Sequence, residues 1–176
     1  EVMPGQWEFQ VGYRGRPDEV ADVLTVSDHL IIARWLLRRV GELFAVEPRL
    51  DPKPARGDWN GAGNHTNFST RSMRSAATGL DAITSAVERL SERHAEHIAG
   101  HGHGLAERLT GLHETCSINE FRSGVADRGA SIRIPRSVEL AGYGYLEDRR
   151  PGANCDPYLV CNLLLSTICG QPALSR

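Results

Sequence analysis

Residues 51–74 read DPKPARGDWNGAGNHTNFSTRSMR, and this stretch decides how the rest of the chain is interpreted. It contains three glycines, two prolines and three asparagines, and it follows neither the period of a helix nor that of a strand. A long ordered loop is therefore predicted, and such loops usually hold a functional site. Asn60 and Gly61 suit a tight turn, His65 can serve as a metal ligand or acid–base group, and Asn67 offers a polar side chain. Each of them alone is also compatible with an ordinary turn residue.

The composition predicts a globular protein of one domain's length. The 176 residues are 40% hydrophobic, enough for a core, and the formal net charge is -2. Charges of both signs are interspersed, so no basic patch indicates binding to nucleic acid or to an anionic membrane. No apolar run is long enough to span a bilayer and no signal peptide is visible, so we expect a cytoplasmic protein. The four cysteines show no CxxC pair, which favours reduced thiols over disulfides.

Residues 1–12 predict a β-strand. Trp7 and Phe9 alternate with polar residues, and this alternation places Glu8 on the polar face. Glu1 has the opposite parity, but a proline and a glycine between the two glutamates can bend the strand so that both carboxylates meet on one side. On the residues alone, two glutamates on a strand are also compatible with solvated side chains.

A first helix is predicted over residues 29–46, where apolar residues recur every three or four positions. Ser27 or Asp28 is its predicted N-cap. Three arginines fall on the opposite side of the helix and are predicted to form a solvated face: Arg34, Arg38 and Arg39.

Two further helices are predicted from the same periodicity. One covers residues 80–98. The other follows Asp156, because aspartate is a good N-cap, Pro157 suits the first helical position, and Gly170 closes the apolar stripe.

Four histidines lie at the end of the helix predicted over residues 80–98 and just beyond it: His94, His97, His101 and His103. Their spacing fits no firm zinc template. We interpret them as a helix end, where Gly100 stops the helix and the imidazoles interact with the negative end of its dipole. A metal site is the less favoured alternative.

Arginines concentrate between residues 128 and 150. Residues 131–134 predict a short strand in which Arg133 faces away from two isoleucines, and Arg128 lies at the turn before it. Five arginines in this span suggest an anion-binding pocket: Arg128, Arg133, Arg136, Arg149 and Arg150. Glu147 stands among them and can either pair with an arginine or bind a cation. Together with the helices, these strands indicate an α+β fold, an antiparallel sheet with helices over one side.

Five stretches, taken in this order, closely resemble glutamine synthetase of the eukaryotic-like type II group. They are EVMPGQWEFQVG (1–12), GDWNGAGNHTNFST (57–70), RLTGLHET (108–115), GVADRGASIRIPR (124–136) and GYLEDRRPGANCDPY (144–158). The resemblance runs over nearly the whole chain. It implies that residues 1–176 form part of the C-terminal catalytic domain of that family, with an N-terminal β-grasp domain and the first catalytic strands absent from this chain.

The activity implied by the resemblance is the ATP-dependent ligation of ammonia to L-glutamate through γ-glutamyl phosphate. Phosphoryl transfer between two anions requires charge neutralisation by metals and arginines rather than a covalent nucleophile. By resemblance, Glu1 and Glu8 match ligands of one divalent metal, and His65 and Glu147 match ligands of a second. Carboxylates with one imidazole suit Mg²⁺ or Mn²⁺ better than zinc.

The resemblance also implies substrate roles. The residues matched to glutamate binding are Asn60, Gly61, Arg108, Arg128 and Arg149. Those matched to the nucleotide are Glu8, Asn67, Phe68, Ser69, Arg128 and Arg133, the two arginines also engaging the transferring phosphoryl group. Glu114 matches a flap glutamate that closes over the site and assists deprotonation of ammonia. Residues 13–28 depart from the family pattern, with Tyr13 in place of the usual proline in a connector that lies near the nucleotide.

Further groups of the family's site have no counterpart in these 176 residues: two carboxylates of a Glu-x-Glu strand and an aspartate of a neighbouring subunit. We therefore expect this chain alone to bind metal weakly and to lack synthetase activity, and we expect the full-length protein to be a homo-oligomer, a decamer. Two alternatives stay open. One is a γ-glutamyl ligase for another amine, and the other is a non-catalytic scaffold resembling glutamine synthetase.

Overall fold

The structure is a computed structural model that describes residues 3–12, 18 and 21–170. Helices and short strands are mixed along the chain, which confirms the predicted α+β class. In chain order the elements are α1 (Val23–Leu43), β1 (Thr66–Phe68), α2 (Gly79–Glu92), α3 (His94–Gly100), α4 (Leu105–Arg108), β2 (Ser123–Val125), β3 (Ile132–Ile134), α5 (Arg136–Ala141), β4 (Leu146–Asp148) and α6 (Pro157–Cys169).

The four strands form one sheet in the order β1-β4-β3-β2. β4 pairs antiparallel with both β1 and β3, as predicted, but β2 and β3 run parallel, so the sheet is mixed. The chain can return to start β3 beside β2 because Ala126 adopts a left-handed φ of 55° and its N–H bonds to the carbonyl of Ile134 at 2.9 Å. This order puts β4 in the interior of the sheet, with a neighbour on each side.

The hydrophobic core lies between the sheet, α2 and α6. It is built from Phe68, Met73, Ile83, Ala86, Leu90, Ile132, Val138, Leu146, Cys155, Val160, Leu164 and Ile168. Burying one large apolar side chain contributes about 1.5–3 kcal/mol. Because Leu146 points into this core, alternation along β4 turns Glu147 to the opposite face and returns Asp148 to the core side.

Helix α1 begins at Val23, six residues before the predicted start of 29–46, because Asp22 is its N-cap. One carboxylate oxygen of Asp22 accepts hydrogen bonds from the backbone N–H groups of Leu24 and Thr25, both at 2.9 Å. The predicted cap Ser27 lies inside the helix and donates to the carbonyl of Val23 at 2.6 Å. Both Ser27 and Asp28 are therefore wrong as caps.

The same helix ends at Leu43 rather than at residue 46. Ala45 adopts a left-handed φ of 53°, and the N–H of Val46 bonds back to the carbonyl of Gly41 at 3.0 Å. This is the hydrogen-bond pattern of a Schellman motif, which terminates a helix by reversing the chain.

One arginine of α1 is not on the solvated face predicted for it. Arg34 donates hydrogen bonds to the carbonyls of Cys155 at 2.7 Å and Ala153 at 2.8 Å, so it connects α1 to the loop before α6. The other two arginines, Arg38 and Arg39, are exposed as predicted. Several large apolar side chains of α1 are also exposed: Leu24, Ile31, Ile32, Trp35, Leu36, Leu37, Val40 and Leu43.

The helix predicted over 80–98 is two helices, α2 and α3, separated at Arg93, whose φ of -107° and ψ of 21° leave the helical region. The last helix is confirmed as predicted. Asp156 caps α6 by accepting from two backbone N–H groups, Pro157 opens it, and Gly170 closes it with a φ of 68°.

The strand predicted over residues 1–12 is not found in its described part, residues 3–12. Trp7 is 92% exposed and Phe9 45% exposed, so neither aromatic side chain of the predicted face belongs to the described core. A strand requires a hydrogen-bonded neighbour. The alternating pattern was present, but none of the four described strands lies beside this segment.

All four cysteines are free thiols, as predicted. None of the helices in the described ranges combines the length and the hydropathy needed to cross a membrane.

Asp156→Ala is expected to lower the free energy of unfolding by about 1 kcal/mol, because the first backbone N–H groups of α6 lose their acceptor. Urea denaturation measures the change. Glu88→Ala, an exposed position inside α2, is the matched control and should change stability by less than about 0.5 kcal/mol. Equal effects of the two substitutions would contradict the capping role.

Candidate functional site

Glu147 lies at the centre of a charged cluster on the face of the sheet opposite the core. Across β3, Arg133 donates through Nε to Oε2 of Glu147. The Nη1 atom of Arg149 is 3.2 Å and the Nδ1 atom of His65 is 3.3 Å from Oε1. On the other side, Asn67 of β1 is the register partner of Glu147. One carboxylate thus meets groups from β3, from the segment just after β4 and from the loop before β1.

The neighbours of Glu147 keep its carboxylate ionised. Burial by itself raises the pKa of Glu147, but the hydrogen bond from His65 and the positive charges of Arg149 and Arg133 outweigh it and lower the pKa to about 2. At neutral pH the site therefore holds a fixed negative charge among several cationic groups.

His65 is neutral in this setting. Burial is the main cause that lowers its pKa; the hydrogen bond to Glu147 acts in the opposite direction, and the nearby Arg149 and Arg108 add to the lowering. The side chain is still 38% exposed, so one edge of the ring is reachable. Nε2 lies 3.2 Å from Nη2 of Arg108, and Nδ1 lies 3.5 Å from Nη1 of Arg149, so an arginine approaches each ring nitrogen.

Arg108 is a buried arginine that binds the backbone next to the site. Its guanidinium donates to the carbonyl oxygens of Arg150 at 3.2 Å and Arg149 at 3.0 Å. Burial, followed by repulsion from Arg149, lowers the pKa of Arg108 to about 10, so it remains charged at neutral pH. A buried cation satisfied by backbone carbonyls fixes the path of the chain just after β4.

The loop predicted over residues 51–74 contains strand β1 (Thr66–Phe68), so that part of the prediction is wrong, and the segment before β1 is folded against Arg108. A Cβ atom on Gly63 would stand 2.2 Å from Nη2 of Arg108, and one on Gly61 would stand 2.7 Å from its Cγ. Only glycine allows the backbone to come this close. The carbonyl of Gly61 also accepts a hydrogen bond from the side chain of Gln6 at 3.0 Å, and Asn60 beside it is half-buried.

Glu114 reaches the cluster through its backbone. His113 and Glu114 have left-handed φ values of 52° and 60°, which is unusual for two successive non-glycine residues. The carbonyl of Glu114 accepts from Nη2 of Arg149 at 3.3 Å, and its carboxylate lies 3.2 Å from Nη1 of Arg128. Both side chains of the Glu114–Arg128 pair are largely exposed at the rim.

The residues predicted to contact a nucleotide divide between surface and core. Asn67 is exposed beside Glu147, and the hydroxyl of Ser69 accepts from Arg74 at 2.7 Å. The Phe68 side chain, 7% exposed, belongs to the hydrophobic core. This leaves Phe68 only its backbone for any contact with a ligand.

Two arginines predicted in the anion-binding pocket lie elsewhere. Arg150 is fully buried on the core side and forms a two-pronged ion pair with Asp148, with nitrogen–oxygen distances of 2.9 Å and 2.8 Å. Arg136 is exposed on α5. Strand alternation explains Arg150, because residues 147 and 149 share one face and residues 148 and 150 the other.

The predicted metal ligands are only partly brought together. Glu1 lies outside the described residues. Glu8 is exposed and accepts a hydrogen bond from Gln10 at 3.2 Å. Within residues 3–12, 18 and 21–170, Glu8, His65 and Glu147 do not form a group of three whose ligand atoms all lie within 4.8 Å of one another.

Sequence reasoning missed a buried group behind the sheet. His97 and His101 are fully buried beside Asp148, not charged at a solvated helix end as predicted. Burial is the main cause that lowers the pKa of His97 to about 3 and that of His101 to about 4. The run Glu-Asp-Arg-Arg at residues 147–150 was the available signal, since on a strand it predicts one acid–arginine pair for each face.

No protein-family model matches the chain. It is 56% identical over 169 residues to the chloroplastic glutamine synthetase of Chlamydomonas reinhardtii, covering 96% of this chain and 42% of that protein. It is 57% identical over 171 residues to the glutamine synthetase of Streptomyces viridochromogenes, covering 96% of this chain and 47% of that protein. It is 56% identical over 170 residues to the glutamine synthetase of Kluyveromyces lactis, covering 97% of this chain and 44% of that protein. The chain is a relative of the glutamine synthetases. It spans less than half the length of these relatives.

In this glutamine synthetase relative, Gly63→Ala is expected to cost about 1–3 kcal/mol of stability, because the new methyl group meets a guanidinium that two carbonyls hold in place. Gly129→Ala is the matched control. Its Cβ would also approach an arginine, at 2.7 Å from Nη2 of Arg122, but that side chain is exposed and can move away. Chemical denaturation measures the free energy of unfolding of both variants. A loss of stability as large in Gly129→Ala as in Gly63→Ala would show that Arg108 is not rigidly held.

Proposed function

We propose that this chain forms part of the catalytic domain of a glutamate–ammonia ligase, which makes L-glutamine, ADP and phosphate from L-glutamate, ATP and ammonia. The observation that supports this function most directly is the ionised Glu147 surrounded by His65, Arg133 and Arg149. Those are groups that bind a hard cation and anionic substrates side by side. The similarity to glutamine synthetases over 96% of the chain supports the same reaction.

The donor set at Glu147 fits Mg²⁺ or Mn²⁺. His65 Nδ1 and Glu147 Oε1 are 3.3 Å apart, close to the separation of about 3 Å between neighbouring ligands of a small octahedral cation. Such a cation would supply neutralisation of the charge on the nucleotide phosphates. Two protein ligands leave most of its coordination to water, substrate or other residues. Because three arginines stand nearby, we infer that the cation binds best together with an anionic phosphate.

Different arginines of the site suit different anionic groups of the substrates. Arg133 is half-buried next to Glu147 and Arg128 is exposed at the rim, an arrangement suited to the transferring phosphoryl group and the nucleotide phosphates. Arg149 borders the same cluster and suits a carboxylate of glutamate. The guanidinium of Arg108 is already satisfied by two carbonyls and His65, so we assign it a positioning role.

The chemistry has two steps. A γ-carboxylate oxygen of glutamate attacks the terminal phosphorus of ATP, and the bond to the ADP oxygen breaks. The nitrogen of ammonia then attacks the acyl carbon of γ-glutamyl phosphate and phosphate leaves. Glu114 takes a proton from the nitrogen, and to do so its carboxylate must leave Arg128, which it contacts at 3.2 Å in this structure.

The remaining parts of the proposal concern the whole protein. We propose that it acts as a homo-oligomer, a decamer as the resemblance implies, and that it is cytoplasmic. The similar proteins include a chloroplastic form as well as yeast forms, so the location stays a prediction.

Binding of Mn²⁺ with ADP tests the site. We expect Mn²⁺ and ADP together to raise the melting temperature of the chain, and Glu147→Gln to weaken Mn²⁺ binding at least about tenfold, because it removes the charged ligand. Glu139→Gln, exposed on α5, is the matched control with the same chemical change. Titration followed by the electron paramagnetic resonance of free Mn²⁺ measures the affinity. Equal affinities in the two variants would reject the cation site at Glu147.

Turnover by these 176 residues alone is a separate prediction. Among the described residues only His65 and Glu147 come within reach of one cation at this site, so we expect no ATP-dependent γ-glutamyl hydroxamate from L-glutamate and hydroxylamine. Hydroxamate formed by this chain, and lost in Glu147→Gln, would contradict the expectation of inactivity while supporting the assigned site.

A further inference from the structure

A second group of potential metal ligands lies on the core side of β4. His97 of α3, His101 at its C-terminal end and Asp148 of β4 each offer one ligand atom, and these atoms all lie within 4.8 Å of one another. All three residues are fully buried. Since Asp148 and Glu147 are neighbours on one strand, their side chains point to opposite faces. The group is therefore separate from the site around Glu147.

Three ring nitrogens in this group have no hydrogen-bond partner among the described residues. They are Nδ1 of His97 and both Nδ1 and Nε2 of His101. His101 Nε2 is 4.0 Å from Oδ2 of Asp148, too far for a hydrogen bond. Leaving a buried polar group unpaired destabilises the fold, and a bound water or ion often satisfies such a group in folded proteins. A ligand that accepts nitrogen lone pairs would remove this cost.

Hydrogen bonds to His97 and Asp148 leave a lone pair of each residue free to bind a metal. His97 Nε2 lies 2.9 Å from the hydroxyl of Thr167, and a proton on Nε2 leaves the lone pair on Nδ1 available. Ligating histidines usually donate their second N–H in this way. Oδ1 of Asp148 accepts two bonds from Arg150, but Oδ2 accepts only one and keeps a free lone pair.

The donor types select the ion. Two imidazoles and one carboxylate suit a borderline divalent metal such as Zn²⁺ rather than the hard cations expected at Glu147. Burial holds both histidines neutral, the state in which imidazole binds metal. Arg150 offsets the charge of Asp148, so the affinity should be lower than that of sites with several anionic ligands.

We propose that His97, His101 and Asp148 bind one Zn²⁺ ion, with water as the fourth ligand. Ligands of a tetrahedral zinc are about 3.4 Å apart, whereas the ligand atoms here lie within 4.8 Å of one another, so the group must contract by up to about 1.4 Å. His101 can make this movement, because neither of its ring nitrogens is held by a hydrogen bond.

Zinc binding by the purified chain tests the proposal. The chain is stripped with a chelator and titrated with zinc chloride against a chromophoric zinc indicator, and Co²⁺ is added separately to record the visible bands of a four-coordinate site. We expect one zinc per chain in the wild type and at least about a tenfold loss of affinity in His101→Gln. Zinc at about 100 times its Kd should raise the melting temperature by about 5 °C or more.

Two control variants separate this site from others. His103→Gln removes an exposed imidazole from the same loop, and His65→Gln removes one from the opposite face of the sheet. Both should keep the bound zinc and the Co²⁺ bands. No zinc bound by the wild type, or equal affinities in His101→Gln and His103→Gln, would overturn the proposal.

A further variant keeps the test decisive should His101→Gln fail to fold. Thr167→Ala retains all three ligands and removes only the acceptor for His97 Nε2. Loss of such an outer partner typically weakens metal binding about 10-fold or more. Unchanged zinc affinity in Thr167→Ala would show that His97 does not bind through Nδ1 and would overturn the assignment.

Discussion

Four consecutive charged residues on a buried strand are the constraint on which the structure depends. Residues 147–150, two acids followed by two arginines, are each no more than 6% exposed. Buried charges must be paired, and alternation along the strand pairs each acid with the arginine two positions later, one pair for each face. A sheet whose central strand carried an unpaired charge would lose several kcal/mol, of the order of its whole stability.

The two ion pairs organise different surroundings. On the open face, Glu147 is approached by Arg133 and Arg149, so two positive charges surround one negative charge and the region can accept further anions. On the core side, Arg150 is enclosed by Asp148 and lies 5.5 Å from the centre of the Phe121 ring, which leaves its charge fully matched. The same residue types therefore form a binding surface on one side of the strand and a structural anchor on the other.

The sequence predicted some of the features that depend on neighbours along the chain, although the equally local cap of α1 was placed at Ser27 or Asp28 instead of Asp22. The cap of α6 at Asp156 is local, and it was predicted correctly. Ala45 was not recognised as a helix terminator, because alanine rarely adopts the left-handed conformation that the chain reversal requires. Residues 3–12 alternate like a strand but have no described neighbour. The burial of His101 could not be predicted either, since its partner Asp148 is distant in sequence and meets it only in the folded core. Caps need local information, whereas pairing of strands and of buried charges needs the tertiary fold.

The close packing of the loop on Arg108 determines which residues can occur together in related chains. At residues 61 and 63 there is no volume for a side chain while a long guanidinium fills the space. A chain with a larger residue at position 63 must also have a shorter one at residue 108, and then it loses the donor to His65 and to the two carbonyls after β4. Residues 63 and 108 should therefore covary as a pair: glycine with arginine, or neither.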